Sequence, residues 1–166
     1  MEDNTITAQP LNRDSFSRFG DVIETQGRES ITINNGMCKR FNNLSSIKTN
    51  SDKGQPSLSI FKSKHYSLPL NLKLLERHPF SSQAFMPLHS DPYLVIVADD
   101  IYGKPSVPEA FVTNGHQGVN IFKNTWHGVL TPIVNDCDFL VVDLSDCKEN
   151  LEEFILPESI AVKTNL

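Results

Sequence analysis

The chain has 166 residues, 39% of them apolar and 21% charged, with a formal net charge of −5. That length suits one domain, residues 1–166, with a core of its own, and the composition excludes wholesale disorder. With no basic run and no interleaving of basic and aromatic residues, a nucleic-acid partner is excluded, and the mild acidity reads as solubility.

Residues 1–10 are polar and lack the apolar stretch of a secretory signal. Residues 12–19 read as a short helix, with Gly20 available as its C-terminal cap. Residues 45–56 are rich in Ser, Asn, Asp and Gly and read as a mobile surface loop. From residue 57 onward strand signals dominate. Residues 57–61 alternate, 83–88 form a short apolar strand, and Tyr93–Ala98 is a continuous apolar run suited to a strand covered on both faces. That run is also far too short to cross a bilayer. Residues 99–108, with Gly103, Pro105 and Pro108, read as a loop. Further strands are expected over 110–113, 118–122, 129–134 and 138–143, and a short turn from Ser145. No internal repeat or low-complexity tract is visible. Many short strands separated by Gly, Pro and Asn turns predict an all-β sandwich or barrel with one or two short helices.

Cys38, Cys137 and Cys147 are odd in number and widely spaced, without a C-x-x-C pair. They predict reduced, structural thiols in a cytoplasmic protein rather than a zinc knot.

Two stretches carry chemistry. On a strand, residues two apart share a face, so Glu76 and His78 look one way and Arg77 the other. A Glu and a His buried together are costly unless they bind something or each other. Gln83 follows shortly after. The second stretch runs from Gly118 to His127, which follows the only tryptophan. His65, His89 and His116 lie in turn-like contexts and are assigned no role. Trp126 is expected in a pocket wall or the core, and Lys123 can face either the pocket or solvent.

These two blocks resemble those of cupins, in which a His-x-His pair followed by an acid and a later glycine-led block ending in histidine converge inside a small β-barrel, usually on a metal. Glu76, His78, Gln83 and His127 occupy those places. Glu stands for one His and Gln for the acid, a mixed oxygen and nitrogen set suited to hard or borderline divalent ions. A hydrogen-bonded polar pocket without metal is the alternative.

A longer resemblance covers most of the chain. It runs through Phe19-Gly-Asp-Val-Ile23, Ile33-Asn-Asn-Gly36 with Arg40, Leu68-Pro-Leu70 and Leu75-Glu-Arg-His-Pro79 with Gln83-Ala-Phe85. It continues through Ala110-Phe-Val-Thr-Asn114, Gln117-Gly-Val-Asn120, Thr125-Trp-His127 and Asp138-Phe-Leu-Val-Val-Asp143. In these blocks, their order and their spacing, the chain closely resembles the ureidoglycolate lyase family of allantoin (purine) degradation. The resemblance implies a cupin-like double-stranded β-barrel of jelly-roll type, commonly a homodimer, that splits (S)-ureidoglycolate into glyoxylate and urea. Nickel is associated with the family, and no organic cofactor is implied. Gly128 stands where the family often has a second histidine, Leu144-Ser-Asp-Cys147 where it often has Arg and glycines, and Lys62 where it often has Arg.

Ureidoglycolate carries a hydroxyl, a carboxylate and a ureido nitrogen on one carbon. Its lysis needs a base for the hydroxyl proton, a proton for the departing nitrogen and donors for the carboxylate. Glu76 or His127 is the expected base, and His78 shares the proton or ligates a metal. Arg40, Lys62 and Lys123 are candidates for the carboxylate, and Asn35 and Gln83 for the ureido group. Competing possibilities are another metal-dependent cupin enzyme, a dioxygenase or isomerase, and a non-catalytic small-molecule-binding cupin.

Overall fold

The computed structural model describes residues 4–166. In chain order the elements begin β1 (Thr5–Thr7), β2 (Gln9–Pro10), α1 (Arg13–Phe16), β3 (Gly20–Ile23), β4 (Ile31–Ile33), β5 (Cys38–Arg40) and β6 (Pro56–Ser63). They continue with β7 (Leu70–Arg77), β8 (Gln83–Pro87), β9 (Tyr93–Ala98), β10 (Asp100–Ile101), β11 (Lys104–Pro105), β12 (Glu109–Val112) and β13 (Gly118–Ile121). Last come β14 (Trp126–His127), β15 (Thr131–Pro132), β16 (Cys137–Leu144), a single 3-10 turn at Lys148–Asn150 and β17 (Glu152–Lys163).

Two sheets hold nearly all of this. The larger runs β1-β17-β7-β14-β9-β12-β2, with β15 also on β9; the other is five-stranded, β3-β13-β8-β16-β6. β1 pairs with β17 and β2 with β12, and only Ala8 separates β1 from β2. One short segment therefore joins both edges of the larger sheet and bends it into a nearly closed barrel, which leaves few free edges. The fold is the cupin-like, jelly-roll type of all-β barrel expected from the sequence.

β9 shows why the run Tyr93–Ala98 is apolar throughout. Tyr93, Val95 and Val97 face the space between the sheets, packing with Phe85, Phe111, Val119, Phe139 and Val141. Leu94, Ile96 and Ala98 face the barrel's other side, with Leu72, Leu75, Trp126, Ile160 and Val162. Every residue of β9 is buried. β16 instead alternates: Cys137, Phe139 and Val141 are buried, while Asp138, Leu140 and Val142 between them are half-buried.

Several expectations are corrected. The helix over 12–19 shrinks to Arg13–Phe16, capped by the Asn12 side chain, which accepts from the Ser15 N–H at 3.0 Å. Gly20 is no cap. It opens β3, where a Cβ would collide with the Asn120 carbonyl of neighbouring β13. Phe16 and Phe19 are drawn into the core instead of continuing a helical turn. Residues 99–108 contain the β10–β11 hairpin. The segment 45–56 is tied down: Ser82 N–H donates to Lys48 O at 2.8 Å, and Asn50 N–H to Phe80 O at 2.8 Å. No helix among the described residues is long and apolar enough to cross a membrane.

Candidate active site

β7 delivers Glu76, and the chain just beyond it delivers His78. β14 delivers His127, whose Cα pairs directly with that of Glu76 and, on its other side, with that of Val97. Because Val97 faces the space between the sheets, so do Glu76 and His127. β8 brings Gln83 from the opposite sheet. One ligand atom each from Glu76, His78 and His127 lies within 4.8 Å of the others, and the two imidazole centroids are 5.2 Å apart. Arg77 points away, as parity requires. It pairs with Asp100 at 2.7 Å and Glu152 at 2.6 Å and lies over the Trp126 ring.

Backbone carbonyls set both imidazoles. His127 Nδ1 lies 3.0 Å from Gly128 O and His78 Nδ1 lies 2.6 Å from Asn150 O. A carbonyl can only accept, so each Nδ1 carries a proton and each ring turns its Nε2 toward the cluster. His127 Nε2 is buried without a hydrogen-bond partner. His78 Nε2 lies 3.2 Å from Gln83 Oε1, while Gln83 Nε2 donates to Asp143 Oδ2 at 3.3 Å. Asp143 therefore selects the face that Gln83 presents: its amide carbonyl turns to the histidine.

Burial shifts the two neighbours in opposite senses. Glu76 is raised, first by burial and further by Glu153, against a lowering by His78. His127 is pushed down to about 3, first by burial and then by the charge of His78, against its bond to Gly128. The His127 imidazole is thus neutral at neutral pH, and its 3.9 Å approach to Glu76 is a dipolar contact rather than an ion pair.

The other sequence-derived candidates are not gathered here. Asn35 sits in the exposed turn and Arg40 at the exposed end of the β4–β5 hairpin, a two-stranded sheet of its own. Lys62 lies on β6 opposite Asp138, pairs with it at 2.9 Å and is largely exposed. Lys123 is exposed and donates to Asn50 Oδ1 at 3.1 Å, although its neighbour Asn124 donates its N–H to His78 O at 2.9 Å. Gly128 costs the site nothing on its own side: a Cβ there would meet Ile96 Cβ at 3.3 Å and Leu72 Cδ1 at 3.7 Å, in the apolar layer on the other face of the larger sheet. Sequence reasoning missed Asp143 and Asn150. Asp143 was findable, since it follows Phe139 and Val141 on the inward parity of β16. Asn150 acts partly through its main chain, which no side-chain pattern reveals.

Fold and site together define a small cupin-like barrel enzyme with a Glu/His/His/Gln cluster in which His127 and Gln83 are buried and Glu76 and His78 half-buried. A sequence model for ureidoglycolate lyase matches residues 3–163. A ureidoglycolate lyase of Chelativorans sp. (strain BNC1) is 51% identical over 153 residues, covering 92% of this chain and 93% of the relative. One of Brucella anthropi is 40% identical over 159 residues, covering 96% and 94%. The crystal structure of a dTDP sugar isomerase from Desulfovibrio desulfuricans G20 is similar over 84% of each chain, at 14% identity and a TM-score of 0.46. The chain belongs to the ureidoglycolate lyase family.

Proposed function

We propose that the protein, acting as one catalytic domain, splits (S)-ureidoglycolate at its carbon–nitrogen bond into glyoxylate and urea. Glu76, His78, Gln83 and His127 are the working groups. The observation that carries the proposal is the convergence of Glu76, His78 and His127 to within 4.8 Å in a chain of this family.

Glu76 is the better base. Its raised pKa makes its carboxylate more basic than an ordinary one, whereas His127 is too weakly basic to hold a proton at neutral pH. Glu76 takes the hydroxyl proton. The electron pair left on oxygen becomes the aldehyde carbonyl of glyoxylate, and the pair of the breaking C–N bond goes to nitrogen. The proton lost by oxygen is the one that urea must gain, so Glu76, sharing it with His78, hands it on without a net change. Gln83 Oε1 accepts from a ureido N–H, and the His127 lone pair accepts a further substrate proton without leaving the neutral state. Lys123, whose neighbour Asn124 donates its N–H to His78 O at 2.9 Å, is the cation proposed for the carboxylate.

The same donors fit a divalent cation: His127 Nε2 is buried and unpartnered, and the Nδ1 protons of both histidines are engaged by backbone carbonyls. Glu76, His78, Gln83 and His127 would hold such an ion, nickel by the family resemblance. Once bound, it would supply Lewis acidity toward the substrate hydroxyl and carboxylate oxygens.

The enzyme would serve allantoin breakdown in the cytoplasm, where its three cysteines, all free, stay reduced. It would work as a homodimer. Support for that comes from the outer face of the five-stranded sheet, where Leu58 and Ile60 on edge strand β6 are 70% and 53% exposed.

The test is to incubate purified protein with (S)-ureidoglycolate, with and without chelator. Urea and glyoxylate in equal amounts support the lyase, and ammonia without urea refutes it. Loss of rate with chelator, restored by one ion, identifies the metal.

A further inference from the structure

We propose that Asn150 is a positioning residue that holds the imidazole of His78 in its working tautomer and orientation. The proposal rests on the lyase function above, in which His78 takes part.

Asn150 closes the 3-10 turn before β17 and is buried, 5% exposed. Besides the N–H bond to Cys147 O that closes its own turn, it makes three hydrogen bonds to the short segment that follows β7. Its backbone carbonyl accepts from His78 Nδ1 at 2.6 Å. Its side-chain Oδ1 accepts from the Phe80 N–H at 2.7 Å, and its Nδ2 donates to Ser81 Oγ at 2.8 Å. The side-chain pair fixes where residue 150 sits relative to residues 80 and 81. The carbonyl of the same residue then fixes the ring two positions upstream. An imidazole whose Nδ1–H is held by a carbonyl has its ring orientation fixed, here with Nε2 turned to 3.2 Å from Gln83 Oε1 and toward the rest of the cluster.

The surroundings make this a clamp and not an incidental contact. The His78 carbonyl is held by the Asn124 N–H at 2.9 Å, and the far side of the segment is tied to residues 48–50. Ser81 and Ser82 are fully buried. The backbone of 78–82 is therefore restrained from both sides, and the remaining freedom of His78 is ring rotation, which the Asn150 carbonyl removes. Asn is the side chain that offers an acceptor and a donor at this reach. Asp keeps the acceptor for Phe80 but lacks the donor for Ser81, and Ala keeps neither.

The experiment uses the full chain with substitutions Asn150→Ala and Asn150→Asp, plus His78→Ala to assign the His78 ring signals. Long-range proton–nitrogen NMR at about pH 8, where an ordinary imidazole is neutral, reads the His78 tautomer directly. The wild type is expected to show a single Nδ1–H pattern and Asn150→Ala a mixture. In turnover, kcat of Asn150→Ala is expected to fall about 10–100-fold, the usual effect of losing a partner that orients a working histidine, with KM changed less than kcat. Asn150→Asp should recover part of both readouts. An Nε2–H tautomer in the wild type would overturn the proposal even if neither variant folded. So would an Asn150→Ala protein that loses thermal stability but keeps kcat and the Nδ1–H pattern, since Asn150 would then be structural alone. Because the tautomer is read without substrate, failure of the wild type to split ureidoglycolate would count against the lyase function and leave this test standing.

Discussion

Glu76 and His127 face each other across two strands, and the same desolvation acts on them in opposite chemical senses. Burial favours the neutral form of each group, which for an imidazole is the deprotonated ring and for a carboxyl the protonated acid. The cluster thus keeps a lone pair on one residue and a proton-hungry carboxylate on the other. Glu76→Gln preserves shape and a hydrogen-bonding head but cannot take a proton, so kcat should drop about 10²–10⁴-fold. It should also make the protein more stable at neutral pH. The folded pKa of Glu76 lies above its unfolded value, so its stabilising contribution is complete below the unfolded value and is lost as pH rises through the folded one. As pH rises the wild type loses that contribution, whereas the Gln variant has nothing to lose. Denaturant midpoints at acid and neutral pH check this; a variant less stable than wild type at neutral pH would contradict it. The same raised pKa moves the acid limb of the wild-type kcat profile upward from where an unperturbed Glu would place it. His127 has the opposite linkage. Its folded pKa is depressed from 6.5 to about 3, so its contribution is present above 6.5 and lost as pH falls toward about 3. His127→Gln should flatten the fall in stability across that window.

At the scale of elements, β9 is the strand on which both apolar layers depend. Ile96→Ala, in the apolar layer away from the space between the sheets, should cost about 2–5 kcal/mol by denaturant unfolding, since Leu72, Leu94 and Val162 lie in the same packed cluster. Ile155→Ala on β17, 78% exposed, should stay within about 0.5 kcal/mol. β9 was legible because a strand covered on both faces has no polar positions, and Tyr93–Ala98 has none. The opposed directions of Glu76 and Arg77 were legible because strand parity is rigid. Other elements hid for physical reasons. β17 opens with two glutamates, carries Pro157, and shifts its register against β7 between Ile155 and Ile160, so no clean alternation survives. The segment 45–56 looks like free loop because its polar side chains are turn-formers, yet its backbone groups are what pair, with residues 80–82. The carbonyls of Gly128 and Asn150, which set the two tautomers, belong to every residue alike and leave no mark in a sequence.

At the scale of the whole molecule, the outer face of the five-stranded sheet is apolar and uncovered in the single chain. Leu58 and Ile60 lie opposite Val142 and Leu140, and Met86 lies beyond Leu140 on β8. These side chains form an apolar row away from the site. Beside the row runs β6, an eight-residue edge strand with no further neighbour in its sheet. An edge strand that pairs antiparallel with its own copy makes a two-fold contact, in which each side offers the same patch and the same unpaired backbone groups. The Lys62–Asp138 pair at the end of the row suits such a contact, because an antiparallel partner carries each charge to the opposite end. A second copy is therefore the occupant expected here, and light scattering in solution should give twice the 18.6 kDa chain mass. Ile60→Asp places a charge in the middle of the row, at a position 53% exposed in the single chain. It should yield a folded monomer, because the lone chain leaves that side chain in water, whereas the dimer would bury the charge without a partner. A wild type that runs at 18.6 kDa, or a variant that stays dimeric, would move the contact away from this face.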